Sequence, residues 1–162
     1  MSKLRRVLEA LLEPDEPGPP ASEDFSDARI KHLEFIQGAI LRMAGNSFLF
    51  KGWAISLASG LAAFAAIESR RAVLFVGIVS TLLFWAMDGY YLWLERGFVG
   101  LHVRVAKLPA SQPVDYAMAV DKTHALRRWL RTMMRWHLLL LYGTIVVVNI
   151  VGALYLKEVK NG

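Results

Sequence analysis

The sequence predicts an all-α integral membrane protein with three transmembrane helices and amphipathic cytoplasmic helices. Hydrophobic residues form 55% of the 162-residue chain, a larger share than in ordinary water-soluble domains. These residues are gathered into three long blocks, and most charged residues lie outside the blocks. The chain has no cysteine, so it has no disulfide and no thiolate metal or nucleophilic site.

A short amphipathic helix is predicted at residues 1–12, where apolar residues repeat at helical spacing among charged ones. The apolar run is too short for a signal peptide and is interrupted by Glu9. As a helix, residues 1–12 can lie on the inner leaflet or dock on a partner helix. The alternative is that these residues form a disordered tail. Residues 13–25 are rich in proline and acidic side chains, which predicts an extended linker.

A second cytoplasmic helix is predicted at residues 26–47. Ser26 or Asp27 can cap its first turn. Glycine and small polar residues at 45–47 permit a bend before the first span, although the helix can also continue straight through them. An apolar stripe at helical spacing, long enough to need a partner surface, is formed by Ile30, Leu33, Ile36, Ile40 and Met43.

Three blocks are long enough to cross a bilayer, because about 20 apolar residues at about 1.5 Å each span a hydrocarbon core of about 30 Å. Residues 48–67 carry one charge, Lys51, and residues 72–94 carry one, Asp88. Residues 136–156 carry none. Only a short polar turn separates the first two spans, so they are expected to form an antiparallel hairpin.

The segment at residues 95–135 is predicted to be a cytoplasmic helical segment, and residues 157–162 form a tail. Residues 101–107 alternate like a strand, but a lone strand has nothing to pair with, which favours a helical continuation of the second span. Pro113 followed by Asp115 marks a helix start. A helix is expected to run unbroken from there into the third span.

The distribution of Lys and Arg predicts the orientation of the spans, because cationic loops stay in the cytoplasm. Seven of these residues lie in residues 1–51 and eight in residues 95–135, whereas the turn between the first two spans and the tail have two each. The N terminus is therefore expected in the cytoplasm and the C terminus on the opposite side of the membrane.

Asp88 is the first candidate functional residue, because an acid within a span is usually paired or lines water. One hypothesis is a structural ion pair or hydrogen bond with Lys51 and Asn46, which enter from the same side. The other hypothesis is that Asp88 faces an oligomer axis and controls ion passage. Asn149 is a further intramembrane polar residue and is expected to hydrogen-bond between helices.

Small residues recur every four positions in the first span and form two rows. They let helix backbones approach closely where lipid gives no hydrophobic drive to associate. One row can pack within the hairpin and the other against a second subunit, which predicts a homo-oligomer of four or more. Alternatively, both rows pack only against this chain's own helices. The first row is Gly52, Ser56 and Gly60, and the second is Ala58, Ala62 and Ala66.

A cationic stripe is predicted on the helix that leads into the third span, formed by His124, Arg128, Arg131 and Arg135. The plainer interpretation is contact with anionic membrane lipid, since juxtamembrane cations contribute about 1 kcal/mol each near an acidic leaflet. The other interpretation is a phosphate-bearing ligand. Nucleic acid is the less favoured partner, because the net charge of +5 is spread outside three apolar blocks.

The block HLEFIQGAILRMAGNSFLFKGW at residues 32–53, followed by DGYY at residues 88–91, resembles a family of small bacterial inner-membrane proteins. The resemblance covers about residues 30–156 and implies a location in the bacterial inner (plasma) membrane. In size and layout the chain is also similar to compact multi-span effectors of bacterial anti-phage systems. Those effectors oligomerise and breach or depolarise the inner membrane when a partner senses infection.

Two functions are therefore expected. The first is an oligomeric inner-membrane protein that perturbs membrane permeability as a pore or channel-like effector, switched by a partner. The alternative is a membrane anchor or scaffold that recruits a cytosolic enzyme through residues 1–44 and 111–135. An enzyme is not expected, because paired acid and base groups or metal ligands are not recognisable in the sequence. No cofactor and no metal site are expected.

Overall fold

In a computed structural model, the described part of the chain comprises residues 26–68, 70–109 and 112–161. Helices account for most of it, and no strand occurs within these ranges, so the all-α fold class is confirmed there. The helix expected at residues 1–12 and the linker expected at 13–25 lie outside the described residues. The four helices are α1 (Asp27–Glu68), α2 (Arg71–Ala106), α3 (Ala125–Met133) and α4 (Trp136–Asn161).

Three of these helices, α1, α2 and α4, are long and apolar enough to cross a membrane. All three helices carry large apolar side chains that are exposed on the surface. A water-soluble bundle would bury side chains of this kind, whereas a surface covered with them suits lipid as the surrounding solvent. The exposed apolar side chains include those of Phe64, Phe75, Leu83, Leu140 and Val151.

α1 runs without interruption through the residues at 45–47, so the straight alternative holds. Its 42 residues correspond to about 63 Å, roughly twice a hydrocarbon core of about 30 Å. A glycine inside a helix costs about 1 kcal/mol relative to alanine. Packing against α2 on both sides of Gly45 offsets this cost, since Ile36 packs on Leu101 while Ser47 bonds to Asp88.

α2 is the central element and contacts all three other helices. Buried Ala58 and Ala65 line the α1 side of the hairpin, where small side chains allow close approach. Leu138 and Tyr142 of α4 form a buried cluster with Ala54. Gly152 of α4 also lies close to Leu74 of α2.

α2 continues beyond residue 94 to Ala106, so residues 101–106 are helical. The last carbonyl groups of a helix lack intrahelical partners and need other donors. The buried Arg29 side chain supplies one: its Nη2 donates to the carbonyl oxygens of Val105 at 2.6 Å and Ala106 at 3.2 Å. This contact ties the start of α1 to the end of α2.

The unbroken helix expected from Pro113 into the third span is wrong. Residues 112–124, which we name the strap, are non-helical where described. α3 begins only at Ala125, after His124 with φ of 55°, and a break at Met134 and Arg135 separates α3 from α4. The segment at residues 95–135 is therefore helical only at its two ends.

Local hydrogen bonds and tertiary packing outweigh the helix signal in the strap. The Asp115 carboxylate accepts from the backbone N–H of Ala117 at 2.9 Å, and Asp121 accepts from that of Thr123 at 2.8 Å. Such side-chain bonds compete with the helical ladder. Val114 also packs on the Ile36 cluster.

Candidate functional site

A buried polar cluster centred on Asp88 joins three helices. The Asp88 side chain is 0% exposed, and its Oδ1 accepts hydrogen bonds from Lys51 Nζ at 2.8 Å and from Ser47 Oγ. Its Oδ2 accepts from the Tyr142 hydroxyl at 3.0 Å. The carboxylate of α2 therefore receives two donors from α1 and one from α4.

The structure brings Asp88 and Lys51 together, as the structural hypothesis requires, but gives Asn46 no part in the cluster. Asn46 is half-buried, and its neighbour Ser47 supplies the hydroxyl donor instead. Sequence reasoning missed Ser47 and Tyr142. The spacing of four residues between Ser47 and Lys51 was a usable signal, because it places both side chains on one helix face.

The geometry of the cluster closes off the carboxylate. Tyr142 stacks on Trp85 with ring centroids 6.1 Å apart, and Lys51 Nζ also donates to Ser47 Oγ at 2.7 Å. A carboxylate with three donors and no exposure is suited to holding helices together rather than to meeting a substrate or a passing ion.

Asn149 lies apart from this cluster, buried between α4 and α2. Its amide donates to the carbonyl of Ile145 within α4 at 2.8 Å. Its Oδ1 faces Gly77 of α2, and among the described residues it has no hydrogen-bond partner. A Cβ at Gly77 would lie 3.0 Å from this oxygen, so glycine lets α2 and α4 approach at Asn149.

The two small-residue rows of α1 face different surroundings. Gly52, Ser56 and Gly60 are exposed, and nothing lies within 4 Å of a Cβ placed on either glycine. In the second row Ala58 is buried, while Ala62 is half-buried and Ala66 exposed. The first row is therefore left uncovered by the described residues of this chain.

A second candidate site is a cleft of about 410 Å³ between α2 and α3, which we name the basic cleft. α2 contributes Arg96 and Arg104, whose spacing of eight places them on one helix face with Gly100 between them. Sequence reasoning counted these arginines only as topology signals. The other charged or polar lining residues are Arg128, Arg131 and Thr132 of α3 and Asp121 of the strap.

Packing of α3 on α2 builds the cleft. The indole N–H of Trp129 donates to the carbonyl of Ala86 at 3.1 Å, and that of Trp85 donates to Met133 at 3.1 Å. Met133 lies directly over Gly89, where a Cβ would not fit without a shift. These contacts fix α3 beside the arginines of α2.

The cations predicted as one stripe do not all share a helix. Arg128 and Arg131 lie on α3 and line the basic cleft. His124 precedes α3 in a left-handed conformation, and Arg135 lies in the break before α4. The regular spacing fails because the helix is shorter than predicted at both ends.

Positively charged side chains outnumber negatively charged ones in the lining of the basic cleft. Asp121 accepts from Arg128 Nη1 at 3.0 Å, and hydrogen bonds from Thr123 together with Arg128 lower the pKa of its carboxyl to about 2. Arg96 donates to Thr132 Oγ1 at 3.2 Å. Partial burial and the nearby Arg135 charge lower the pKa of Arg96. The neighbouring Glu95 carboxylate acts in the opposite direction and raises the pKa of Arg96.

Comparisons of the chain with protein-family models, with curated proteins and with solved structures found no match. The resemblance to a bacterial inner-membrane family therefore stays a prediction.

Proposed function

We propose that this protein is an integral anchor of the bacterial inner membrane that presents a folded cytoplasmic head to a protein partner. The three long apolar helices and their outward apolar side chains support insertion. The excess of Lys and Arg in residues 1–51 and 95–135 supports a cytoplasmic head and N terminus and a periplasmic C terminus. The head comprises the strap, residues 27–47 of α1 and residues 95–106 of α2.

One observation carries the proposal: an aromatic patch in the head that lipid cannot cover. Phe35 is 60% exposed, and Tyr116 of the strap is 51% exposed. They border one groove, in which the Tyr116 ring meets His32 edge-on with centroids 5.3 Å apart. Phe35 precedes residue 48 by 13 positions, or about 20 Å of helix beyond the span. Exposed apolar patches in water mark protein interaction sites.

We propose the chemistry of the partner from the residues that line this groove. Lys31 and Arg42 flank its apolar lining, and Met118 completes the apolar side. An amphipathic helix with an apolar face and an acidic flank fits such a groove. We therefore propose a cytosolic protein that carries such a helix.

Photocrosslinking in cells tests this function. A benzophenone amino acid at Phe35 or Tyr116 is expected to give one and the same discrete protein adduct, while Phe64 in the span serves as the lipid-facing control. Met118→Asp should abolish the adduct, because a charge in the apolar groove is unfavourable. Adducts only with this chain's own residues 1–25, or only with lipid, would contradict the scaffold.

A second candidate function, perturbation of membrane permeability by a homo-oligomer of four or more, rests on the open row of α1. Exposed Ser56 and Ser59 put hydroxyl groups on the same face as Gly52 and Gly60, which suits a contact between copies or a pore lining. The sealed position of Asp88 favours the scaffold, because a buried and paired carboxylate does not face a pore.

Expression separates the two candidates. A pore predicts uptake of a membrane-impermeant dye, and Gly60→Leu should abolish both the uptake and the oligomer measured by light scattering in detergent. The scaffold predicts no uptake. Dye uptake that survives Gly60→Leu would contradict the role of the α1 row.

A further inference from the structure

We propose that the basic cleft binds a phosphate-bearing anion through Arg96, Arg104, Arg128 and Arg131. This inference goes beyond the scaffold, because the partner groove shares none of the residues that line the basic cleft.

The cleft is a shaped space rather than a flat cationic surface. Val120 of the strap packs directly on Gly97 and forms one wall. Gly100, one turn further along α2, has nothing within 4 Å of a Cβ position and leaves the space open. The buried Trp93 ring gives the cleft an apolar side.

The lining of the cleft has an excess of positive charge, which a bound anion would neutralise. Asp121 is already engaged by Arg128 at 3.0 Å. Arg104 and Arg131 form no ion pair with any residue of the described ranges 26–68, 70–109 and 112–161. Four arginines line the cleft, and Asp121 is the one carboxylate among the lining residues.

The donor set matches phosphate better than a single carboxylate. Guanidinium groups bind phosphate oxygens in pairs of parallel hydrogen bonds, and four of them suit an anion with several oxygens and more than one charge. Thr132 lines the same space, but its hydroxyl accepts from Arg96 and donates to the carbonyl oxygen of Arg128, so the guanidinium groups are the donors for the anion. A phosphate group brings three or more acceptor oxygens, which suits several guanidinium donors in one cleft.

The position of the cleft allows two kinds of phosphate-bearing ligand, a lipid headgroup and a soluble compound. Arg96 follows the predicted end of the second span by two residues, about 3 Å of helix, which places it at the level of lipid headgroups. Arg104 follows that end by ten residues, about 15 Å, where a soluble phosphate compound reaches more easily than a headgroup. Arg104 therefore distinguishes a soluble ligand from a lipid.

The test uses the full chain in phosphatidylcholine nanodiscs and titrates it with inorganic pyrophosphate by calorimetry. Arg104→Gln and Arg131→Gln are each expected to weaken binding about tenfold, as the loss of one charge-assisted contact does. Gly100→Leu keeps every charge, fills the cleft and should weaken binding at least as much. Arg127→Gln removes an exposed charge from α3 outside the cleft and should leave binding unchanged.

A second arm measures how much phosphatidylglycerol stays bound, by native mass spectrometry of the same variants. Retention that falls with Arg131→Gln but not with Arg104→Gln identifies a lipid headgroup as the ligand. Pyrophosphate binding that falls with both variants identifies a soluble phosphate. The proposal is overturned if neither probe binds, if Arg127→Gln acts like the cleft variants, or if Gly100→Leu has no effect on either probe.

Discussion

The Asp88 carboxylate shows how one residue can couple three helices. Taking a charge out of water is costly, and the attraction to a partner offsets that cost only when the remaining lone pairs are also satisfied. Asp88 meets this condition through Lys51, Ser47 and Tyr142. Lys51 is less deeply placed, with its side chain 27% exposed, so it can reach water if its partner is lost.

This difference in exposure predicts unequal effects of two substitutions. Lys51→Met leaves the Asp88 charge buried and unpaired and should destabilise the protein by about 3–5 kcal/mol. Asp88→Asn should cost less, because Lys51 can turn toward water. Thermal unfolding in detergent measures both effects.

The double variant Lys51→Met with Asp88→Asn serves as the control, since it contains no unpaired charge. It should recover part of the stability that Lys51→Met loses. Equal losses for the two single variants, with no recovery in the double variant, would contradict the pairing.

Part of this cluster could be predicted from the sequence. Lys51 and Asp88 stand out because each is the only charge in an apolar block, and the hairpin brings their two helices side by side. Tyr142 could not be predicted as a partner, because the contact depends on how α4 lies against α2. A tyrosine in an apolar helix carries no signal for the carboxylate it will meet.

At the scale of elements, the strap shows where periodicity is insufficient. The helix of the second span could be extended to Ala106 because no breaker interrupts it. Pro113 predicts a helix start in the strap, yet the strap is non-helical. Asp115 and Asp121 accept hydrogen bonds from backbone N–H groups two residues on, and Val120 packs on Gly97. The contact of Val120 with Gly97 joins residues far apart in sequence, and a single sequence does not reveal it.

The strap contact predicts opposite effects of the same change at two glycines. Alanine in a helix is favoured over glycine by about 1 kcal/mol, so Gly100→Ala in open space should be neutral or stabilising. Gly97→Ala should displace Val120 and free the strap. Limited trypsin cleavage at Lys122 should then be faster in Gly97→Ala alone; equal rates in both variants would show that the strap does not depend on Gly97.

The hydrogen bond from Thr123 to Asp121 before α3 is predicted to be lost under strongly acidic conditions. The folded-state pKa of Asp121 is lowered from 3.8 to about 2, so its ionised form is favoured by folding. Its contribution is fully present above the unfolded-state pKa and is lost as the pH falls through about 2. The Thr123 amide signal in NMR should therefore titrate with this low midpoint, and Asp121→Asn should remove the transition. A midpoint at the ordinary value for aspartate would contradict the hydrogen bond from Thr123 to Asp121.

At the scale of the whole molecule, hydropathy predicts the long apolar helices, because a segment in lipid has no water to hydrogen-bond with its backbone. An apolar block of sufficient length forms a helix whatever its exact sequence, since every backbone polar group must be satisfied internally. The all-α class and three helices capable of spanning followed from this rule. The basic cleft did not, because Arg96, Arg104, Arg128 and Arg131 come together only when α3 packs on α2.

The membrane topology is the claim on which the head, the patch and the cleft all depend. The chain contains no cysteine, so single-cysteine variants can be labelled in intact cells without background. The membrane-impermeant maleimide is expected to label Arg70→Cys and Lys157→Cys but to label Ser26→Cys and Lys122→Cys only after the cells are opened. Labelling of Ser26→Cys in intact cells, with Arg70→Cys protected, would contradict the orientation; identical labelling of all four positions would contradict the three spans themselves.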